Sequence, residues 1–137
     1  MIIIRKKFRF CAAHRLSSPC LSLEENTALY GQCASPNFHG HNYTLEVAVS
    51  GEPDPATGML INFYDLKTIV QDALISSLDH KNLNMDVDFL KDRVTTAENM
   101  IRIFWDRLDP FFTGNARLYE ISLSETDDNI AVYRRDF

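Results

Sequence analysis

Cys33-Ala34-Ser35-Pro36-Asn37-Phe38-His39-Gly40-His41-Asn42 is the stretch around which this chain is organised. Two histidines one glycine apart, with a cysteine shortly upstream, bring metal-ligand and nucleophile chemistry into one loop and the strand that leaves it. From His41 onward Tyr43, Leu45, Val47 and Val49 alternate with Asn42, Thr44, Glu46 and Ala48, a period of two that predicts a half-buried strand closing near Ser50-Gly51. The glycine between the histidines keeps both imidazoles on one face, about 7 Å apart at roughly 3.3 Å per residue. Two rings at that separation can tilt onto one ion.

Upstream, residues 15 to 38 carry Ser17, Ser18, Pro19, Asn26, Gly31, Pro36 and Asn37, with a short helical turn over Leu23 to Tyr30, and read as a long excursion. Before it lies another alternating run. Ile2, Ile4, Phe8, Phe10 and Ala12 share one face, while Ile3, Arg5, Lys7, Arg9 and Cys11 share the other. The same phase puts His14 on the apolar side at the strand's far end, where a buried ring needs a partner. If the two strands pair antiparallel, the end of the first meets the start of the second, and His14 joins His39 and His41. Three neutral imidazoles suit zinc and leave a fourth position open, which points to catalysis.

Downstream, Glu52 to Gly58 form a turn and Asn62 is placed to cap a helix whose apolar stripe is Phe63, Leu66, Ile69, Val70, Ala73, Leu74 and Leu78. It ends in Asp79-His80-Lys81-Asn82. Thr95-Thr96-Ala97-Glu98 fits a capping box, and Met100, Ile101, Phe104, Trp105 and Leu108 continue as a second amphipathic helix up to Pro110. Tyr119, Ile121 and Leu123 predict a third strand, and Ile130 to Arg134 a fourth after the turn Thr126 to Asn129. The expected fold is α+β: a four-stranded antiparallel sheet with two helices on one face, in the order ββααββ. Two sheet edges and one bare face then remain, so self-association is expected.

With 137 residues, 45% of them hydrophobic, the chain has enough material for one core, and a single domain over 1–137 is expected. A formal charge of -5 speaks against a nucleic-acid or anionic-membrane binder, either of which calls for a basic face. Cys11, Cys20 and Cys33 are an odd number, the start Met1-Ile2-Ile3-Ile4-Arg5 has too short an apolar run for a signal peptide, and no run spans a bilayer. A reduced, cytoplasmic protein is expected.

Cys33 reads either as a small buried hydrophobe, as a fourth zinc ligand, or as a reactive thiol, and the polar loop favours the thiol. Asp79 and His80 are sufficiently explained as a helix end, and Glu98 as the partner in a capping box. Glu125 falls in phase with the third strand's apolar face. It is either an exposed strand end or a carboxylate that accepts an N–H and an amino group from a planar heterocycle.

Ala12-Ala13-His14-Arg15-Leu16, Cys33 to Tyr43, Asp54-Pro55-Ala56-Thr57-Gly58-Met59, Leu78 to Leu83, Thr95 to Asn99 and Glu125 to Asn129 together resemble the 6-pyruvoyltetrahydropterin synthase family, nearly end to end. The resemblance implies the tunnelling fold, zinc on His14, His39 and His41, and Cys33, Asp79 and His80 as the catalytic group. It places Glu125 on the pterin ring with Thr96 and Glu98 nearby, and implies a homohexamer of two stacked trimers with active sites where subunits meet. The implied reaction is triphosphate elimination from 7,8-dihydroneopterin triphosphate with internal redox rearrangement of the side chain. Arg15 and Lys81, next to those residues, are the expected cations for the triphosphate. The chain departs from the family at Phe38, where glycine is common. A sister activity, 6-carboxytetrahydropterin synthase, shares the substrate and zinc set but expels acetaldehyde; five residues between Cys33 and His39 and the long preceding loop favour the pyruvoyl branch. A non-catalytic zinc or pterin binder is the alternative of another class, and Cys33, Asp79 and His80 together speak against it. A metallohydrolase lacks its His-Glu-x-x-His helix.

Overall fold

The two alternating runs flanking the long excursion form one antiparallel hairpin. In the computed structural model, which describes residues 1–136, β1 (Ile2–His14) pairs with β2 (His39–Gly51) in unbroken register from Ile2↔Gly51 to His14↔His39. Phe137, the last residue of the expected domain, lies outside the described residues. The excursion holds α1 (Leu23–Tyr30), opened by a capping box in which the Ser22 hydroxyl accepts from Glu25 N and the Glu25 carboxylate accepts from Ser22 N. A 3-10 turn over Gly31–Ala34 then leads back toward β2.

α2 (Phe63–Val70) is capped by Asn62, whose side chain accepts from Tyr64 N, and runs into a π turn over Gln71–Ile75 and a last helical turn, Ser76–Leu78. The π turn adds a residue to the helical repeat. As a result Leu74 and Ile75 are both buried, although the sequence stripe contained no Ile75; Phe63, expected on that stripe, is the first helical residue and stands 51% exposed. α3 (Ala97–Leu108) buries Met100, Ile101, Phe104, Trp105 and Leu108 as its periodicity predicts. The two helices share one core with Phe8, Phe10, Ala12, Tyr43, Leu45, Val47, Val49, Ile121 and Leu123, so they cover one face of the sheet.

The fold is α+β, but the sheet has five strands and is mixed, with three helices in place of two. Beyond β4 (Arg117–Ser124) and β5 (Ile130–Arg134), a two-residue strand, β3 (Lys81–Asn82), runs parallel to β1, giving the order β3-β1-β2-β4-β5. The sequence showed only a polar helix end there. His80, at φ 61, turns the chain so that its amide donates to Cys11 O at 2.7 Å and that of Leu83 donates to Ala13 O at 2.8 Å. Two residues are too few for periodicity to register. A bulge between Ala48 and Val49 leaves Tyr119 between the paired Glu120 and Leu118, so Leu118 enters the core in its place.

On the face away from the helices, Arg5, Ala48, Glu120 and Arg134 lie in register across four strands. Over the small Ala48, Arg5 and Arg134 both reach the buried Glu120 carboxylate. Among the described residues no helix is long and apolar enough to cross a membrane.

Candidate metal centre and substrate cleft

β1 ends and β2 begins at the same place, and the strand period turns His14, His39 and His41 to the helix-facing side. Their ring centroids are 4.6 Å (His14–His39), 4.9 Å (His39–His41) and 5.2 Å (His14–His41) apart. One nitrogen from each ring lies within 4.8 Å of the others, so the cluster could hold a metal ion. Gly40 lets the hairpin close: a Cβ there would stand 3.3 Å from Ala12 O, tighter than a side chain ordinarily sits.

The three rings differ in what holds them. His14 is 1% exposed, and its Nδ1 lies 3.0 Å from Thr95 O and 3.2 Å from Thr95 Oγ1. Both His39 nitrogens and His41 Nε2 are buried without a hydrogen-bond partner. His41 Nε2 does sit 3.1 Å from Glu125 Oε1, close enough for charge to act between them but off hydrogen-bond alignment. Orphaned buried ring nitrogens are costly, and three imidazoles converging on one point are the donor set that a zinc ion takes. The residues present therefore fit the ion.

Electrostatics keep the rings in the form a metal needs. Burial, with the neighbouring His39 and His41, lowers the pKa of His14 to about 4, against a smaller opposing effect of its bond to Thr95. Burial also lowers His39, helped by His41 and opposed by Glu125. Both are neutral at pH 7, with lone pairs free. Tyr43, stacked on Phe10 in the core, brings its hydroxyl to 3.4 Å from His14 Nε2. Burial and the Glu125 charge push its phenol up, so it stays protonated.

Beside the cluster opens a cleft of about 520 Å³ lined by Leu16, Thr96, Glu98, Glu125, Asp128 and Asn129, among others. Thr96, Glu98 and Glu125 are thus brought together. Glu98 reaches the cleft because the helix cap is one residue later than expected. The N-cap is Thr96, which accepts from Asn99 N, so Glu98 closes no capping box. Glu125 is set by its own amide, which donates to Asn129 O at 3.1 Å, and links the cleft to His41.

Cys33 lies half-buried in the 3-10 turn, outside the imidazole cluster, and its carbonyl accepts from Leu16 N at 2.7 Å. That bond moors the cysteine loop one residue past Arg15. Asp79 and His80 do contact each other, Oδ2 to Nδ1 at 3.0 Å. The Cys11 amide donates to Asp79 Oδ1 at 2.9 Å, and this bond, with His80, holds the Asp79 carboxyl below its ordinary pKa. The pair sits at the β1 edge, and Asp79 lines a separate depression with Arg9, Cys11, Asn42, Thr44 and Asp127. No residue lines both recesses. Within one chain the structure does not bring Asp79 and His80 to the imidazoles. Arg15 Nε is buried without a partner, its guanidinium 6.0 Å from the Phe38 ring, and Lys81 is exposed at the start of β3.

Three residues about the cluster escaped the sequence: Thr95, Tyr43 and Asn84. Tyr43 shares the phase of His41 and passed as core. Thr95 had a usable signal, since only one of two adjacent threonines can cap a helix.

A family model described as 6-pyruvoyl tetrahydropterin synthase matches residues 3–136. The chain is 48% identical to the 6-pyruvoyl tetrahydrobiopterin synthase of Pongo abelii and 47% identical to that of Homo sapiens, each over 131 residues, 96% of this chain and 90% of the relative. The solved structure of Caenorhabditis elegans 6-pyruvoyl tetrahydropterin synthase superposes with a TM-score of 0.92 at 36% identity, covering 98% of this chain and 96% of that one.

Proposed function

The chain belongs to the 6-pyruvoyl tetrahydropterin synthase family, and from that premise we propose that it converts 7,8-dihydroneopterin triphosphate to 6-pyruvoyltetrahydropterin, eliminating triphosphate. It is a carbon–oxygen lyase serving tetrahydrobiopterin biosynthesis. The observation that carries this reading is the convergence of three imidazoles, with nitrogens left unpartnered, beside a cleft that ends in a carboxylate.

His14, His39 and His41 would hold zinc. When bound, the ion supplies Lewis acidity to the substrate's side-chain hydroxyls and makes the adjoining C–H bonds more acidic. Cys33 Sγ takes the proton from carbon as general base, and the bond to the triphosphate oxygen breaks with its electrons. Asp79, ionised and hydrogen-bonded to His80, holds that imidazole as a proton carrier. Glu125 accepts the ring N–H and amino group of the pterin, and Thr96 and Glu98 border the ring. Arg15 and Lys81 face the phosphates. This favours turnover over a purely binding role, because ligation and ring recognition alone have no use for the thiol and the Asp79–His80 pair.

Because Asp79 and His80 lie at the far edge of β1, the working site takes Cys33 from one copy and the Asp79–His80 pair from another. The two sheet edges, β3 and β5, suit lateral association, and the reading is a cytoplasmic homohexamer of two trimers in the tunnelling fold, each 1–137 chain one domain. The test is product mass after zinc-loaded protein meets 7,8-dihydroneopterin triphosphate, with acetaldehyde assayed in parallel. A retained three-carbon side chain supports the proposal. A one-carbon carboxylate with acetaldehyde gives the carboxy branch, and no turnover by zinc-loaded protein leaves a binding protein.

A further inference from the structure

His14 differs from the other two imidazoles in being held from behind, and the groups that hold it form a closed set. A carbonyl oxygen can only accept, so the 3.0 Å contact between His14 Nδ1 and Thr95 O puts the proton on Nδ1 and leaves the lone pair on Nε2, where the Tyr43 hydroxyl stands 3.4 Å away. The Thr95 hydroxyl, 3.2 Å from the same nitrogen, donates onward to Arg15 O at 3.3 Å. Arg15 is fixed in turn by one carboxamide: its amide donates to Asn84 Oδ1 at 2.9 Å, and Asn84 Nδ2 donates to its carbonyl at 3.0 Å. Asn84 thereby continues, with a side chain, the pairing that β3 begins with Ala12 and Ala13. Thr95 is fully buried, at 0% exposure, and as Thr96 caps α3 its hydroxyl is free for this task.

We infer that Thr95, braced through Arg15 by Asn84, is a positioning residue that sets the tautomer and ring orientation of His14 and so presents Nε2 to the metal. Partners of this kind behind a ligating histidine ordinarily carry a tenfold to hundredfold share of metal affinity, as a general magnitude of about that size. The neutral imidazole must be fixed before the ion arrives, and His14 is the ring for which this is done. Both His39 nitrogens and His41 Nε2 are buried without a hydrogen-bond partner, and a shared ion would draw these rings together. The cluster is one anchored ligand and two followers.

The inference rests on the reading of the three histidines as a metal site, and two measurements keep the failures apart. In zinc-free protein, long-range ¹H–¹⁵N correlation of the imidazoles is expected to show His14 protonated at Nδ1. An Nε2–H tautomer overturns the inference whatever the metal does. Zinc affinity by chelator competition is then compared for wild type, Thr95→Val and Thr95→Ser. Valine is expected to weaken it about tenfold, with an altered visible spectrum when cobalt replaces zinc, and serine to restore both. Equal affinities and identical cobalt spectra in wild type and Thr95→Val overturn the positioning role, even if Thr95→Val melts lower, since lost packing alone lowers the melting point without touching the cobalt spectrum. Wild-type protein that takes up no zinc overturns the metal reading itself, and the role of Thr95 with it.

Discussion

Two polar clusters hang on the last turns of β1, His14 with its companion histidines on the helix side and the Asp79–His80 pair at the edge, and they are built by different means. His14 is 1% exposed, backed by Thr95 and Arg15, and kept neutral by burial. The His80 side chain is 82% exposed and that of Asp79 38%, and the latter is kept charged by the Cys11 amide. The first cluster is gathered within one chain and could hold a metal ion. The second stands at the surface, its aspartate lining a depression that no imidazole of the cluster lines. The contrast separates side chains that a single chain gathers and buries from a pair it holds at an open edge, where the proposed assembly would bring a second chain.

The sharpest way to break this contrast is to mix two dead variants. Cys33→Ala is expected to lose about a thousandfold in kcat as a missing general base, and Asp79→Asn about tenfold to a hundredfold. Refolded together in equal amounts, they should regain about a quarter of wild-type activity, because sites joining an intact Cys33 to a neighbour's intact Asp79 form again. Mixtures no more active than the parent variants would place both residues in one chain's site. Asp79→Asn with its zinc affinity unchanged would sharpen the separation further.

Acid tests the buried cluster next. The pKa of His14 in the folded chain is depressed, to about 4, below its unfolded value near 6.5, so between those values the unfolded state binds more protons. Stability of the zinc-free protein is therefore full above pH 6.5 and lost as pH falls through about 4, by up to about 3 kcal/mol from this ring alone. Urea unfolding of zinc-free protein at pH 7 and pH 4.5 should show that loss, and His14→Gln should remove most of the difference. An unchanged slope in the variant would assign the acid sensitivity to other groups.

The smallest effect concerns the loop. Phe38 occupies a left-handed conformation, φ 66, that costs a side chain about 1–2 kcal/mol, against which its contact with Arg15 returns less. Phe38→Gly is expected to raise unfolding free energy by about 1 kcal/mol, read by chemical denaturation. A fall instead would show that the Arg15–Phe38 contact outweighs the strain.

Much of this was legible in the chain because it depends on period. Alternation from Ile2 to His14 and from His41 to Val49 placed both strands, and one antiparallel pairing then gathered three histidines from positions 25 residues apart, as the register His14↔His39 shows. What stayed hidden depends on single residues. β3 rests on the turn at His80, the burial of Ile75 beside Leu74 on one turn of π helix, and the entry of Leu118 on a bulge opposite Ala48 and Val49. The capping box was misplaced because Thr95 and Thr96 are alike in sequence and differ only in that one faces His14. Thr96, Glu98 and Glu125, grouped only by the family resemblance, line one cleft, and no spacing could tell that Asp79 would line another.

The π turn at Gln71–Ile75 has a consequence of another kind. Its surplus residue is taken up in one wider turn, where Ala73 O accepts from Arg107 Nε at 3.1 Å. Removing one residue there would let an ordinary α-helix run through to Leu78 with Asp79 near its present phase, at the cost of one of the two buried neighbours Leu74 and Ile75. The surplus residue is thus absorbed where it stands, and the helix carries one more core side chain without displacing the Asp79–His80 pair.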